Sequence, residues 1–230
     1  IVCLGIPTVY TTEPGMNGYT WVIPAGGTIT SGGTATDNSV TVSWNTIGTN
    51  TLSVNYTDGN GCMADAPAQL NVTVNPLPTP TISGPETVCL NSTANIYITP
   101  AYQNNYIWTI SEGGTITSGQ GTNVIYVTWH TEGPQTISIN YTNAYGCTAA
   151  SPTTRNIIVN PLPTATITPD GPTTFCQGGS VLLTSSEGSS YLWSNGATTQ
   201  SINVTTSGSY TVRVTDANGC SATSAVTSVT

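Results

Sequence analysis

The sequence predicts an all-β chain of three tandem β-sandwiches. Three observations carry that reading: a strand- and turn-forming composition, a self-repeat with an offset of 87 residues, and two cysteines in each copy. The 230 residues include 45 Thr, 24 Gly and 15 Pro against one Phe and one His. Branched Thr suits a pleated surface, while Gly and Pro punctuate turns. No stretch carries an apolar stripe of 3.6-residue period, so helices are not expected.

The repeat defines the units. Trp21-Val22-Ile23-Pro24-Ala25-Gly26-Gly27-Thr28-Ile29-Thr30-Ser31-Gly32 returns almost letter for letter as Trp108 through Gly119. Nearly the same shift carries Val42-Ser43-Trp44 onto Val127-Thr128-Trp129, Asn55-Tyr56-Thr57 onto Asn140-Tyr141-Thr142, and Gly61-Cys62 onto Gly146-Cys147. A shorter third copy keeps Cys176, Tyr191-Leu192-Trp193 and a closing Asp216-Ala217-Asn218-Gly219-Cys220. Two Asn-Pro-Leu-Pro segments, at Asn75 and Asn160, separate the copies, and their fixed φ angles make short, semi-rigid spacers. The expected units are therefore 1–75, 76–160 and 161–230.

Within the second unit, alternating apolar and polar residues mark strands in order at 95–99, 106–110, 115–117, 124–129, 136–141 and 155–159, with a leading strand near Thr81-Ile82. Gly-rich breaks lie between them (Glu112-Gly113-Gly114, Ser118-Gly119-Gln120-Gly121, Glu132-Gly133-Pro134) and are read as supplying positive φ for tight turns. About seven short strands in a unit this size indicate a sandwich of immunoglobulin type. In the third unit, Ser194-Asn195-Gly196-Ala197 reads as a hairpin turn. The first unit starts at a point equivalent to Thr87, so its leading strand is missing.

Six cysteines allow 15 pairings, and two per unit favours Cys3 with Cys62, Cys89 with Cys147, and Cys176 with Cys220. One conflict accompanies that assignment: in a standard strand order the two cysteines of a unit would lie at opposite ends of its sandwich. Zinc is not expected, because there is no Cys-x-x-Cys and only one His. Trp21, Trp108 and Trp193, each two residues after a Tyr, are expected in the core. Trp44 and Trp129 end another strand, have Val204 as their third counterpart, and are the candidates for partial exposure.

Function classes are bounded by charge. Two basic residues against ten acidic ones give a net charge of −8, the wrong sign for binding nucleic acid or an anionic membrane surface. No apolar run approaches the roughly 20 residues that span a bilayer, and no secretion signal opens the sequence. Catalysis is not expected either, since no titratable cluster breaks the repeat. His130 stands where the first unit has Asn45, and Glu112, Glu132 and Asp170 fall in turns. Asp58 and Asp216, with Asn143 between them, suit turns that bond their own backbone, and Asp58 with Asp65 makes a weak calcium pair. No cofactor or metal is expected. Five Asn-x-Thr sequons, at Asn55, Asn71, Asn91, Asn140 and Asn203, are ordinary in a chain this rich in Asn and Thr.

With their Tyr-x-Trp, Gly-Gly-Thr-Ile-Thr-Ser-Gly, Val-x-Trp and Asn-Tyr-Thr-x-x-x-Gly-Cys runs, the first two units resemble the PKD-like repeats of large secreted Bacteroidota proteins. The third, from Phe175-Cys176-Gln177-Gly178 through Tyr191-Leu192-Trp193 to Tyr210-Thr211-Val212, is similar to the immunoglobulin-like module those proteins carry near their C-terminal sorting domains. The resemblance implies an exported or cell-surface protein whose modules act as stalks, adhesive arrays or filament subunits, with no catalytic residues to carry over. The expected partners are further copies joined end to end, or a surface glycan or protein. The alternative is a glycan-binding adhesin or an accessory module of a secreted carbohydrate-active protein. The open first unit is expected to be completed either by upstream sequence, in which case no assembly follows, or by a strand of another copy, for which Ala225-Val226-Thr227-Ser228-Val229-Thr230 is the candidate donor unless it closes its own unit.

Overall fold

The computed structural model describes residues 1–230, all of it strand, turn or irregular backbone. The first unit holds β1 (Val2–Cys3), β2 (Thr8–Thr11), β3 (Asn17–Val22), β4 (Gly27–Gly32), β5 (Ser39–Trp44), β6 (Gly48–Thr57) and β7 (Ala68–Asn75). The second holds β8 (Thr87–Cys89), β9 (Asn95–Ile98), β10 (Asn104–Ile110), β11 (Gly114–Ser118), β12 (Val124–Trp129), β13 (Gly133–Thr142) and β14 (Thr153–Asn160). The third holds β15 (Ile167–Pro169), β16 (Val181–Ser185), β17 (Ser190–Trp193), β18 (Ser201–Val204), β19 (Gly208–Tyr210), β20 (Val212–Thr215), β21 (Ser221–Thr223) and β22 (Thr227–Val229).

The first two units repeat one topology. A four-stranded sheet runs β1-β7-β6-β3 in one and β8-β14-β13-β10 in the other, facing a three-stranded sheet ordered β2-β5-β4 or β9-β12-β11. In both, the short strand ending in Cys3 or Cys89 lies parallel to the last strand, with Cys3 opposite Asn75 and Cys89 opposite Asn160. The third unit splits into β15-β16-β18, β17-β20-β21 and the pair β19-β22. The expected leading strand near Thr81-Ile82 is reduced to a single bridge between Ser83 and Ile98. The Asn195-Gly196 turn forms, with the Trp193 amide donating to Ala197 O and φ 87° at Gly196. It joins β17 to β18, which belong to different sheets, so it is a crossing between layers and not a hairpin.

Alternation places the core. Along β12, Ile125, Val127 and Trp129 are buried while Tyr126 is exposed, and β5 repeats this with Val40, Val42 and Trp44. Trp44 and Trp129 are 0% exposed, which corrects the expectation that these two are the partly open ones. They share strand parity with Val42 and Val127, and that parity points inward. Trp108 and Trp193 are also buried, whereas Trp21 is half-buried.

The paired glycines serve a different purpose from the one expected. Gly113 and Gly114 do not have positive φ; they make room. A Cβ at Gly114 would sit 2.5 Å from Trp129 Cε3, and one at Gly27 would sit 3.1 Å from Trp44 Cε3. The Tyr-x-Trp repeat has a similarly plain purpose. Trp21, Trp108 and Trp193 donate Nε1–H to the carbonyls of Asp37, Thr122 and Thr199 at 2.8–3.0 Å. The hydroxyls of Tyr19, Tyr106 and Tyr191 donate to the loops ahead of their strands at Glu13 O, Pro100 O and Gly188 O.

Candidate functional site: the junctions between units

The disulfides run between units, not within them. Cys3 bonds Cys147 and Cys89 bonds Cys220, while Cys62 and Cys176 are free and exposed. None of the three expected pairings forms, and a single disulfide in each unit is corrected to one at each junction. The reason is the conflict noted from strand order. Cys3 lies beside Asn75, at the end of β7, and Cys62 precedes its start at Ala68. The eight residues between span roughly 25 Å, far beyond the ~7 Å Cα separation a disulfide can bridge. What is out of reach within one sandwich is adjacent between two stacked ones.

Each junction has two half-sites built by local backbone rules. The following unit contributes a short turn. In the second unit Asn143 Oδ1 accepts from the amides of Tyr145 and Cys147 at 3.1 and 3.0 Å, and Gly146 takes φ 78°. In the third, Asp216 Oδ1 accepts from Asn218 and Cys220, both at 2.9 Å, and Gly219 takes φ 81°. The preceding unit contributes a corner. Cys3 O accepts from Ile6 N at 3.1 Å with φ 73° at Gly5, and Cys89 O accepts from Ser92 N at 3.0 Å with φ 58° at Asn91. The strand-end tryptophans brace these corners through their carbonyls: Gly5 N donates to Trp44 O and Asn91 N to Trp129 O, both at 2.8 Å.

Packing completes the first junction. Asn143 Nδ2 donates to Pro76 O at 3.0 Å, Ile1 rests against Gly146, and Leu4 with the 76–80 spacer faces Ala149 to Ser151. Cys147 and Ala149 are buried there. At the second junction Leu90, Asn91 and Leu162 face Gly219 and Ser221 beside a buried Cys220. Sequence reasoning saw the Asx-Gly-Cys turns but missed Leu4, Pro76 and Ala149, whose junction role depends on which sandwich ends meet.

Other residues singled out from sequence do not converge. His130 Nδ1 lies 3.1 Å from Asn91 Oδ1, and no three His, Cys, Asp or Glu side chains gather at one place. Asp58 spends its carboxylate on its own turn. The amides of Cys62 and Asn60 donate to it at 2.9 Å, and these bonds, that from Cys62 foremost, hold its pKa below the usual value.

The first unit also has an open strand edge. In the second unit the extended residues before β8 are pinned: Thr153 Oγ1 donates to Pro80 O and Arg155 Nη1 to Ile82 O, both at 2.7 Å. Ser83 and Ile98 exchange backbone bonds at 2.8 Å, and Ile82 is buried. The corresponding place in the first unit is a cleft of about 310 Å³ lined by Val9, Tyr10, Trp21, Leu52, Ala68 and Leu70. The donor expected for it is already engaged, since β22 pairs with β19 in its own unit and buries Val229. A strand equivalent to Pro80–Ser83 is the occupant expected there. Residues 76–86 joined ahead of Ile1 are expected to raise the melting temperature of the first unit by about 4–8 °C for each kcal/mol of apolar burial gained. Unchanged melting in calorimetry would reject that occupant.

Solved structures similar to this chain include the fibronectin(III)-like modules of Clostridium thermocellum CbhA, at 14% identity and TM-score 0.35, over 70% of this chain and 88% of that one. Another is the N-terminal eight Ig domains of Down Syndrome Cell Adhesion Molecule, at 13% identity and TM-score 0.40, over 100% of this chain and 35% of that one. A third is SGBP-B of the Bacteroides ovatus mixed-linkage glucan utilization locus, at 17% identity and TM-score 0.24, over 100% and 65%. Likeness at this level extends to no ligand or partner. No curated protein matches the sequence. The PKD-like domain family matches residues 1–72 and 75–156, more than half of the 230 residues, and the chain belongs to that family.

Proposed function

We propose that this is a structural protein of the cell exterior, a rod of β-sandwich beads that serves as a stalk, adhesive array or filament segment. The observation that carries the reading is that both disulfides cross from one unit to the next, where they oppose bending and twisting at the spacer. Disulfides of this kind persist in oxidising surroundings outside the cytosol, which supports export of the sort implied by the likeness to secreted Bacteroidota repeats. Domains of this family are commonly non-catalytic. An exposed Trp44 or Trp129 would favour the glycan-binding alternative, and both are buried.

Small-angle scattering of the monomeric C62S/C176S variant tests the rod. A radius of gyration well above the ~17 Å of a compact globule of this length is expected. A value near that figure would reject the reading.

A further inference from the structure

We propose that Cys176 of one copy and Cys62 of the next form a third junction of the kind already present twice within the chain, joining copies head to tail. The inference extends the structural reading to a specific partner, a second copy of this chain.

Both half-sites are already built. Cys62 sits in the same turn as Cys147 and Cys220: Asp58 Oδ1 accepts from Asn60 N and Cys62 N at 2.9 Å, Asp58 N donates to Cys62 O at 2.9 Å, and Gly61 takes φ 80°. An acidic residue at the head of this turn is already used at the second junction, by Asp216. Cys176 opens the same turn as Cys3 and Cys89, though outside any strand: its carbonyl accepts from Gly179 N at 2.9 Å, and Gly178 takes φ 92°. The corner is fixed to the body of its unit, since Phe175 N donates to Thr230 O at 3.0 Å and the Phe175 ring packs on the core.

The surroundings of Cys62 are those of a junction face left uncovered. Cys147 and Ala149 are buried by the preceding unit, yet their counterparts Cys62 and Ala64 are exposed, with Met63 between them. Beside Cys62 lies an apolar cleft of about 510 Å³ lined by Val54, Tyr56, Met63, Ala64, Ala66 and Ala68. The third unit thus presents the corner and the first presents the turn. A contact between unlike patches of identical copies propagates as an open array unless it closes on itself.

The chemistry is thiol–disulfide exchange. One thiolate attacks a small-molecule disulfide such as oxidised glutathione and expels one thiolate. The other cysteine then attacks the mixed disulfide and expels the second. Two thiols become one disulfide, and the small disulfide is reduced by the same two electrons to two thiols.

The test exposes the purified full chain to oxidised glutathione and examines it on non-reducing gels and by peptide mapping. A ladder in steps of 23.7 kDa is expected, with Cys62–Cys176 links exceeding like-with-like links by at least about ten-fold, the ratio that 1.4 kcal/mol of docking preference produces. C62S alone or C176S alone should abolish the ladder, and the two variants mixed should stop at a dimer. No ladder, a statistical mixture of links, or a Cys62–Cys176 bond closed within one monomer would overturn the proposal. The rod itself is measured on the double variant, so either idea can fail alone.

Discussion

Reducing the two disulfides is expected to lower the melting temperature of the second unit by about 15 °C or more, with smaller shifts in the first and third. Both bonds end in the second unit, through Cys147 and Cys89, while each neighbour holds one end of one bond. When the second unit alone unfolds, Cys147 remains tied to the folded first unit, so the chain from Asn75 to Cys147 is a closed loop of 72 residues (147 − 75). Closure of a loop that long removes about 4 kcal/mol of denatured-state entropy on the chain-entropy model. At 4–8 °C per kcal/mol for a domain this small, that gives the expected shift. The overlapping loop closed by Cys89–Cys220 adds to it less than additively. Calorimetry with and without reductant, with hydrogen exchange to assign the transition, measures the effect. Equal shifts in all three units would point instead to one disulfide inside each.

Trp129→Ala is expected to cost the second unit about 3–5 kcal/mol, the range for emptying a large aromatic site. The ring is 0% exposed and closes over Gly114, where not even a methyl group would fit. Its Nε1 donates to Tyr97 Oη at 3.3 Å, and Tyr97 is itself buried, which raises its pKa. Removing the indole leaves that hydroxyl short of a partner, a further penalty of about 1–3 kcal/mol where water cannot enter. Denaturant unfolding should show the loss. A change below about 1 kcal/mol, usual for a surface site, would contradict the burial. His130→Asn, next along the chain and exposed, serves as the control with little effect.

Trp129 and the cysteines mark the boundary of what is legible in the sequence. Strand β12 was legible to the residue, and its alternation already put Trp129 on the side of Ile125 and Val127. The expectation of exposure came from position at a strand end, but that end is sealed by the corner of Asn91. The six cysteines were legible as a repeat, yet pairing depends on which sandwich ends meet. Sequence offered that only as a conflict with standard strand order. The leading strand expected near Thr81-Ile82 forms only one bridge, at Ser83, and the segment is held more by Arg155 and Thr153 side chains than by ladder bonds.

The crossed disulfides also set how far the chain can be stretched. If tension were to unravel the second unit, two short covalent routes would still join the first unit to the third: Asn75 to Cys89 and across to Cys220, 14 residues (89 − 75), and Cys3 across to Cys147 and on to Asn160, 13 residues (160 − 147). At full extension each spans no more than about 50 Å. The stretch between Cys89 and Cys147 would hang as a slack loop carrying no load, free to refold once the pull relaxed. An array fastened this way yields by a small, fixed increment and then stiffens, which makes each pair of bonds a strain limiter.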